Sequence, residues 1–196
     1  IDNMLNITGL HYGIKNRIVQ QAGGNPFFIE EVVRSFIDEG AVLVKNGNFE
    51  VTNKIEKMVI PSTINDVLMA RIDRLEDETR NLVKVASVIG RNFFHKILTE
   101  VSKETGDIDN RLSYLKEIQL IRERRRMDEL EYLFKHALAQ EAAYASILHQ
   151  KRKELHLQVA RSIEKVFKER LHEFYGMLAL HYIKGEDDEK AAYFIN

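Results

Sequence analysis

DIDNRLSYLKEIQLIRERRRMDELEYLF, residues 107–134, changes its hydrophobic period halfway along. Ile108, Leu112, Leu115 and Ile118 recur at the spacing of one helix face. Leu130, Tyr132 and Phe134 instead alternate with Glu131 and Leu133, as a half-buried strand does. Before this stretch, DETRNLVKVASVIG (77–90) predicts a helix stopped by Gly90, and FFHKILTEVS (93–102) predicts a short one. The order helix, helix, helix, hairpin is that of a winged helix, a variant of the helix-turn-helix.

Toward the N-terminus, GGNPFFIEEVVRSFIDEG (23–40) carries unusual punctuation for a helix. Gly23 and Gly24 tolerate the positive φ of a helix stop, Asn25 is a capping residue, and Pro26 suits the first helical position, where its missing N–H removes no bond. Ile29, Val32, Val33, Phe36 and Ile37 then form an amphipathic stripe that ends at Gly40. In AVLVKNGNFEVT (41–52), two β-prone runs flank Asn46-Gly47, a strong signal for a two-residue hairpin turn. Pro61, Ser62 and Thr63 open another helix with the stripe Ile64, Val67, Leu68, Ile72 and Leu75. Arg71 lies on that apolar stripe, where it snorkels, pairs with a buried acid, or points toward a ligand.

Toward the C-terminus every pattern is helical. Leu138, Ala142, Ala145 and Leu148 form one stripe; Leu155, Val159, Ile163 and Val166 a second; Leu171, Tyr175, Leu178 and Tyr182 a third. Short links between such helices are those of a helical repeat array. His181 on the last stripe reads as a satisfied core residue.

With 196 residues, 44% hydrophobic and 30% charged, the chain can bury a real core. Net charge is −1, so a nucleic-acid or anionic-membrane partner needs a local basic patch. The absence of cysteine excludes disulfides, thiolate metal sites and a cysteine nucleophile, and fits a cytoplasmic setting. No apolar run approaches the length of a membrane helix. The chain starts on Ile1 rather than methionine and ends within a helical pattern, which predicts that it is part of something longer.

No G-x-x-x-x-G-K-[ST] loop and no H-E-x-x-H motif occurs, so neither nucleotide hydrolysis by this chain alone nor a zinc centre is expected. Glu30-Glu31 and Asp187-Asp188 point to different helix faces and read as solvated surface. No convergent catalytic constellation is visible, so the chain is read as a binding or regulatory part with no catalytic residues and no metal ligands. The one basic patch is RERRR (122–126), which with Arg111 and Lys116 reads either as a DNA-facing wing or as a solvated hairpin tip whose field Glu123, Asp128 and Glu129 cancel.

GGNPFFIEEVVRSFIDEGAV (23–42), IPSTINDVLMARIDRLEDETRNLVKVASVIGRNF (60–93) and YLFKHALAQEAAYASIL (132–148) strongly resemble, in order, the STAND-class signal-transduction ATPases of the AAA-like P-loop superfamily. They look most like the ATPase module found beside class III adenylate/guanylate cyclase, protein kinase or transcription-activator domains. LALHYIKGEDDEKAAYFIN (178–196) is similar to the entry into that family's TPR-like repeats. The resemblance implies a mainly α fold with two small β-hairpins: a helical lid over 1–76, a winged helix over 77–148, and the start of a helical repeat over 149–196.

The resemblance also implies roles. Gly24, Asn25 and Pro26 resemble the family's G-x-P motif, whose proline packs beside the adenine of bound nucleotide. The same three residues serve equally to stop one helix and start the next. His136 resembles the winged-helix histidine that touches the β-phosphate of ADP in the family's closed state, although Ala137 and Leu138 follow it without an acidic residue. Its alternative role is packing or capping. ATP or ADP with magnesium belongs to the intact parent, no cofactor to this chain. The implied partners are the parent's own N-terminal P-loop domain and proteins bound through the repeats; no nucleic acid and no membrane partner is expected. The rival readings are a DNA-binding winged-helix regulator and a protein-interaction scaffold.

Overall fold

Asn25 Oδ1 accepts the Phe27 N–H at 3.0 Å and Pro26 takes the first helical position, so the amphipathic helix begins where its capping residues stand. The computed structural model describes residues 7–45, 48–126 and 128–195, and the chain divides into two compact units, one up to Arg74 and one from Leu75 onward.

The first unit contains β1 (Ile7–Thr8), α1 (Tyr12–Ala22), α2 (Pro26–Asp38), β2 (Val42–Lys45), β3 (Asn48–Val51), a 3-10 turn (Asn53–Lys57) and α3 (Ile64–Asp73). Asn46 and Gly47, the predicted turn, lie outside the described residues, but β2 and β3 pair antiparallel on either side of them, with Lys45 opposite Asn48. The expected hairpin gains a third strand, because β1 runs parallel to β3 at its other edge. Phe28, Ile29, Val32 and Phe36 of α2 bury against Ile18, Val42, Ile55, Ile60 and Val67, which places α2 at the centre of this core. Thr63 and Asp66 form a reciprocal capping box at the start of α3: the Thr63 hydroxyl accepts the Asp66 N–H at 3.1 Å and Asp66 accepts the Thr63 N–H at 3.1 Å.

The second unit runs α4 (Asp77–Ile89), β4 (Asn92–Phe94), α5 (His95–Val101), α6 (Ile108–Glu117), β5 (Ile121–Arg126), β6 (Glu129–Phe134), α7 (Ala137–Ala145), α8 (His149–Val166), a 3-10 segment (Lys168–Phe174), α9 (Tyr175–Lys184) and α10 (Asp188–Ile195). Its sheet order is β4-β6-β5, all antiparallel. The expected second hairpin is thus also part of a three-stranded sheet. Sequence periodicity passed over β4 because a three-residue strand has no period; Gly90, at φ 144, turns the chain out of α4 and sets Phe93 opposite Tyr132. Phe94 packs edge-on against Phe167 and Phe174, with ring centroids 5.6 and 5.8 Å away, so the sheet shares its core with the end of α8.

Two stripes differ from their reading. In α7 the buried residues are Ala139, Ala142 and Ala143, while Leu148, just beyond the helix, is 80% exposed. Small residues let α7 pack closely against α4, which outweighs burying the larger side chain. Tyr175 is exposed, whereas Leu178 and Tyr182 of the same stripe are buried. Among the described residues no helix is long and apolar enough to cross a membrane.

Candidate functional site

Alpha-1 ends at Ala22 because Gly23 turns left-handed at φ 51 and returns its N–H to the Gln20 carbonyl. Gly24 follows at φ 84, and the Asn25 N–H closes onto the Ala22 carbonyl at 2.8 Å. Residues 23–26 are all exposed, and a Cβ added at Gly23 or Gly24 meets no atom within 4 Å. The α1–α2 junction is therefore a knuckle of bare main chain, held from below by the buried Phe28 and Ile29. Such a surface lets a flat ligand approach the backbone closely. It has no anion cradle.

Beneath α2 lies an ionic core. Arg71 of α3 bonds to Glu31, both almost fully buried, and its Nε lies 3.4 Å from the Asp38 carboxylate. One turn on, Arg74 donates to Ser35 Oγ at 2.8 Å and pairs with Glu39. Of the three places open to Arg71, the fold selects pairing with a buried acid. Glu31 is correspondingly not the solvated residue that its charge suggested. The signal was present: Glu31 shares a helix face with Phe28 and Ser35, both buried, and an arginine on an apolar stripe needs an anion.

In the second unit, His136 is the N-cap of α7, directly after β6. Its carbonyl accepts the Ala139 N–H at 3.1 Å, its ring does not cap the helix, and the residue is half-buried. Gly24, Asn25 and Pro26 thus share one turn of the first unit, and His136 belongs to the second.

The basic segment occupies β5 rather than a hairpin tip. Arg124 bonds to Glu131 on β6, and Arg126 lies 3.6 Å from the same carboxylate, which is 1% exposed. Glu131 was read as the polar, outward member of its strand, yet it is buried, because two guanidinium groups reach across from the neighbouring strand to satisfy it. Arg111 donates to Glu76 at 2.6 Å and to Thr79 at 2.9 Å, and Lys116 donates to Glu123 at 2.6 Å. These two cations are held by protein acids rather than offered to solvent anions.

Sequence reasoning did not single out His156. Its Nε2 lies 3.0 Å from the Tyr144 hydroxyl and its Nδ1 lies 2.8 Å from Nδ1 of His181. The chain of three polar groups links α7, α8 and α9 through a buried region. Burial, with Lys184 and Arg152 nearby, pushes His156 down to about 4. Burial, with His156 adjacent, pushes His181 down to about 3, while the Ile89 carbonyl pulls the other way.

A hollow of about 650 Å³ in the first unit is bordered by His11, Thr52, Asn53 and Glu56. His11 Nδ1 is committed to the Gly13 N–H at 3.2 Å and Thr52 Oγ1 donates to the Gly40 carbonyl at 2.9 Å. His11 Nδ1 and Thr52 Oγ1 thus serve a helix cap and a turn of the local fold.

No protein-family model matches the chain, and no curated protein matches it.

Proposed function

We propose that this chain is the regulatory back portion of a nucleotide-dependent signalling ATPase of the STAND class, comprising the helical lid, a winged helix and the first TPR-like helices. The observation that carries the reading is the exposed α1–α2 knuckle at Gly24, Asn25 and Pro26, where the main chain at Gly24 is open to a purine ring that packs beside Pro26. It is supported by the order α4-β4-α5-α6-β5-β6, the element order of a winged helix, and by a histidine at the helix start that follows the wing.

The knuckle fits packing against a base. It does not fit holding phosphates, since no Gly-rich loop converges on it. ATP or ADP with magnesium, held by a P-loop domain of the parent, would supply the phosphate chemistry. Pro26 would then limit the position of the base, and His136 would offer an imidazole N–H to a phosphate oxygen. Signals entering through the C-terminal helices would bias release, a two-state domain arrangement driven by differential contacts. The arrangement would serve as a clamp and a relay, with no bond made or broken by this chain.

The DNA-binding alternative draws on fewer charges than the sequence suggests, because Arg111, Lys116, Arg124 and Arg126 all bond to protein acids. The test is ADP dissociation from the parent. Pro26→Ala and His136→Ala are each expected to speed ADP release about tenfold, equivalent to about 1.4 kcal/mol. Unchanged ADP retention in both variants would overturn the proposal.

A further inference from the structure

Strand β5 is an edge strand, and its outer main chain is open. Lys135 donates to the Leu120 carbonyl at 3.0 Å, and Phe134 donates to Arg91 on the opposite side at 2.9 Å. Antiparallel pairing alternates, so Arg122, Arg124 and Arg126 exchange main-chain bonds with β6, and the N–H and C=O of Glu123 and Arg125 point away from the sheet. Residues 122–126 are all exposed.

The side chains along this edge are strongly biased in charge. Arg122, Arg124 and Arg126 share one face at strand period, around the single buried carboxylate of Glu131. Glu129, opposite Arg126, is already bonded to Lys96 at 2.9 Å. On the other face Arg125 stands beside Glu123, whose charge Lys116 takes. Arg122 and Arg125 have no ion-pair partner among the described residues. In a chain of net charge −1, this edge is a local surplus of positive charge.

We propose that β5 is a docking edge for an extended acidic segment of a partner protein, which adds as a further strand and sets carboxylates at alternate positions toward the face of Arg122, where Arg124 and Arg126 share the one carboxylate of Glu131. Outward N–H and C=O groups together select a peptide, because a peptide supplies both acceptors and donors. A phosphate backbone supplies acceptors only and would leave the Glu123 and Arg125 carbonyls facing oxygen. A second copy of this strand is disfavoured by its own arginines, the usual guard of an exposed edge.

The test uses the 196-residue chain and a labelled peptide of alternating Glu and Thr, read by fluorescence anisotropy and by amide exchange at Glu123 and Arg125. The peptide is expected to bind, to slow exchange at those two amides, and to lose about tenfold or more in affinity to the Arg122→Glu/Arg125→Glu variant. Neither arginine pairs with Glu131, so that variant leaves the ion pairs of the wing intact. Arg125→Pro removes an outward N–H and no ladder bond, so it is tolerated at an edge. It is expected to bind more weakly than Arg125→Ala, which removes the same charge. A peptide N-methylated at alternate residues tests the same bonds from the ligand side and is expected to fail. Equal binding by Arg125→Pro and Arg125→Ala together with equal binding of the methylated peptide, tighter binding of duplex DNA than of the peptide, or no peptide binding would each overturn the inference.

Discussion

The Nδ1 atoms of His156 and His181 lie 2.8 Å apart with both rings buried, so one of the two nitrogens carries the proton and the other accepts it. The Ile89 main chain lies near His181 and favours its protonated form slightly, but His181 Nε2 has no hydrogen-bond partner among the described residues. His156 Nε2 lies 3.0 Å from the Tyr144 hydroxyl and takes there the role opposite to that of its Nδ1. Burial keeps both imidazoles neutral.

That assignment predicts acid sensitivity of the second unit. Both histidines titrate near 6.5 when unfolded and well below it when folded, at about 4 and about 3, so the unfolded chain binds more protons in between. Their stabilising contribution is complete above about pH 6.5 and is lost as pH falls toward 4, with a slope of about 1.4 kcal/mol per pH unit per histidine. Urea denaturation across that range is expected to show a steeper acid loss for the native chain than for His156→Gln/His181→Gln. Equal slopes would show that the pair is not neutral in the fold.

Arg71 and Glu31 make a second prediction, about the first unit. Removing Arg71 takes the buried cation from Glu31, and removing Glu31 leaves Arg71 the longer contact to Asp38, so Arg71→Met or Glu31→Leu alone is expected to destabilise by about 3–5 kcal/mol. The double variant Glu31→Leu/Arg71→Met is expected to recover most of that loss, because Asp38 is partly exposed and can be solvated. A denaturant-based double-mutant cycle reads the coupling. Additive losses would show that the two side chains do not depend on one another.

Gly185, between α9 and α10, marks a close approach. A Cβ there falls 2.5 Å from Leu157 Cδ2 and 2.7 Å from its Cγ, on α8. Gly185→Ala is expected to lower stability by about 1–3 kcal/mol through overpacking, since its φ of −86 carries no strain. Adding Leu157→Ala should restore much of the loss, and thermal melts of the single and double variants make the comparison.

At Gly24 the expected loss has a different cause. Gly24→Ala meets no atom but must adopt φ 84, so it is expected to destabilise the α1–α2 junction by about 1 kcal/mol while leaving the core intact. A loss several times larger in chemical denaturation would reveal a steric contact at the knuckle.

Local chemistry was legible wherever a residue acts on its own neighbourhood. Asn25, Pro26, Gly40 and Thr63 stand where helices start and stop, because capping is settled within four residues. The stripes of α2 and α8 were legible for the same reason, since a long helix samples its period several times. Strand β4 and the exposed Leu148 were not. Three residues show no period, and α7 buries alanines for close packing rather than its largest side chains.

The candidate residues divide in the same way. Sequence alone determined a mainly helical chain with a capped helix start at Gly24, Asn25 and Pro26, and the strand that follows the basic run. Only tertiary structure decided which charges are spent internally. Glu31 and Glu131 look like surface acids because their strand and helix neighbours say nothing of Arg71, Arg124 or Arg126 arriving from another element. His156 looks like any helical histidine until His181, 25 positions away, meets it. A charge or a proton is placed by the groups that surround it in space, and those groups are brought together by long-range packing that no local pattern encodes.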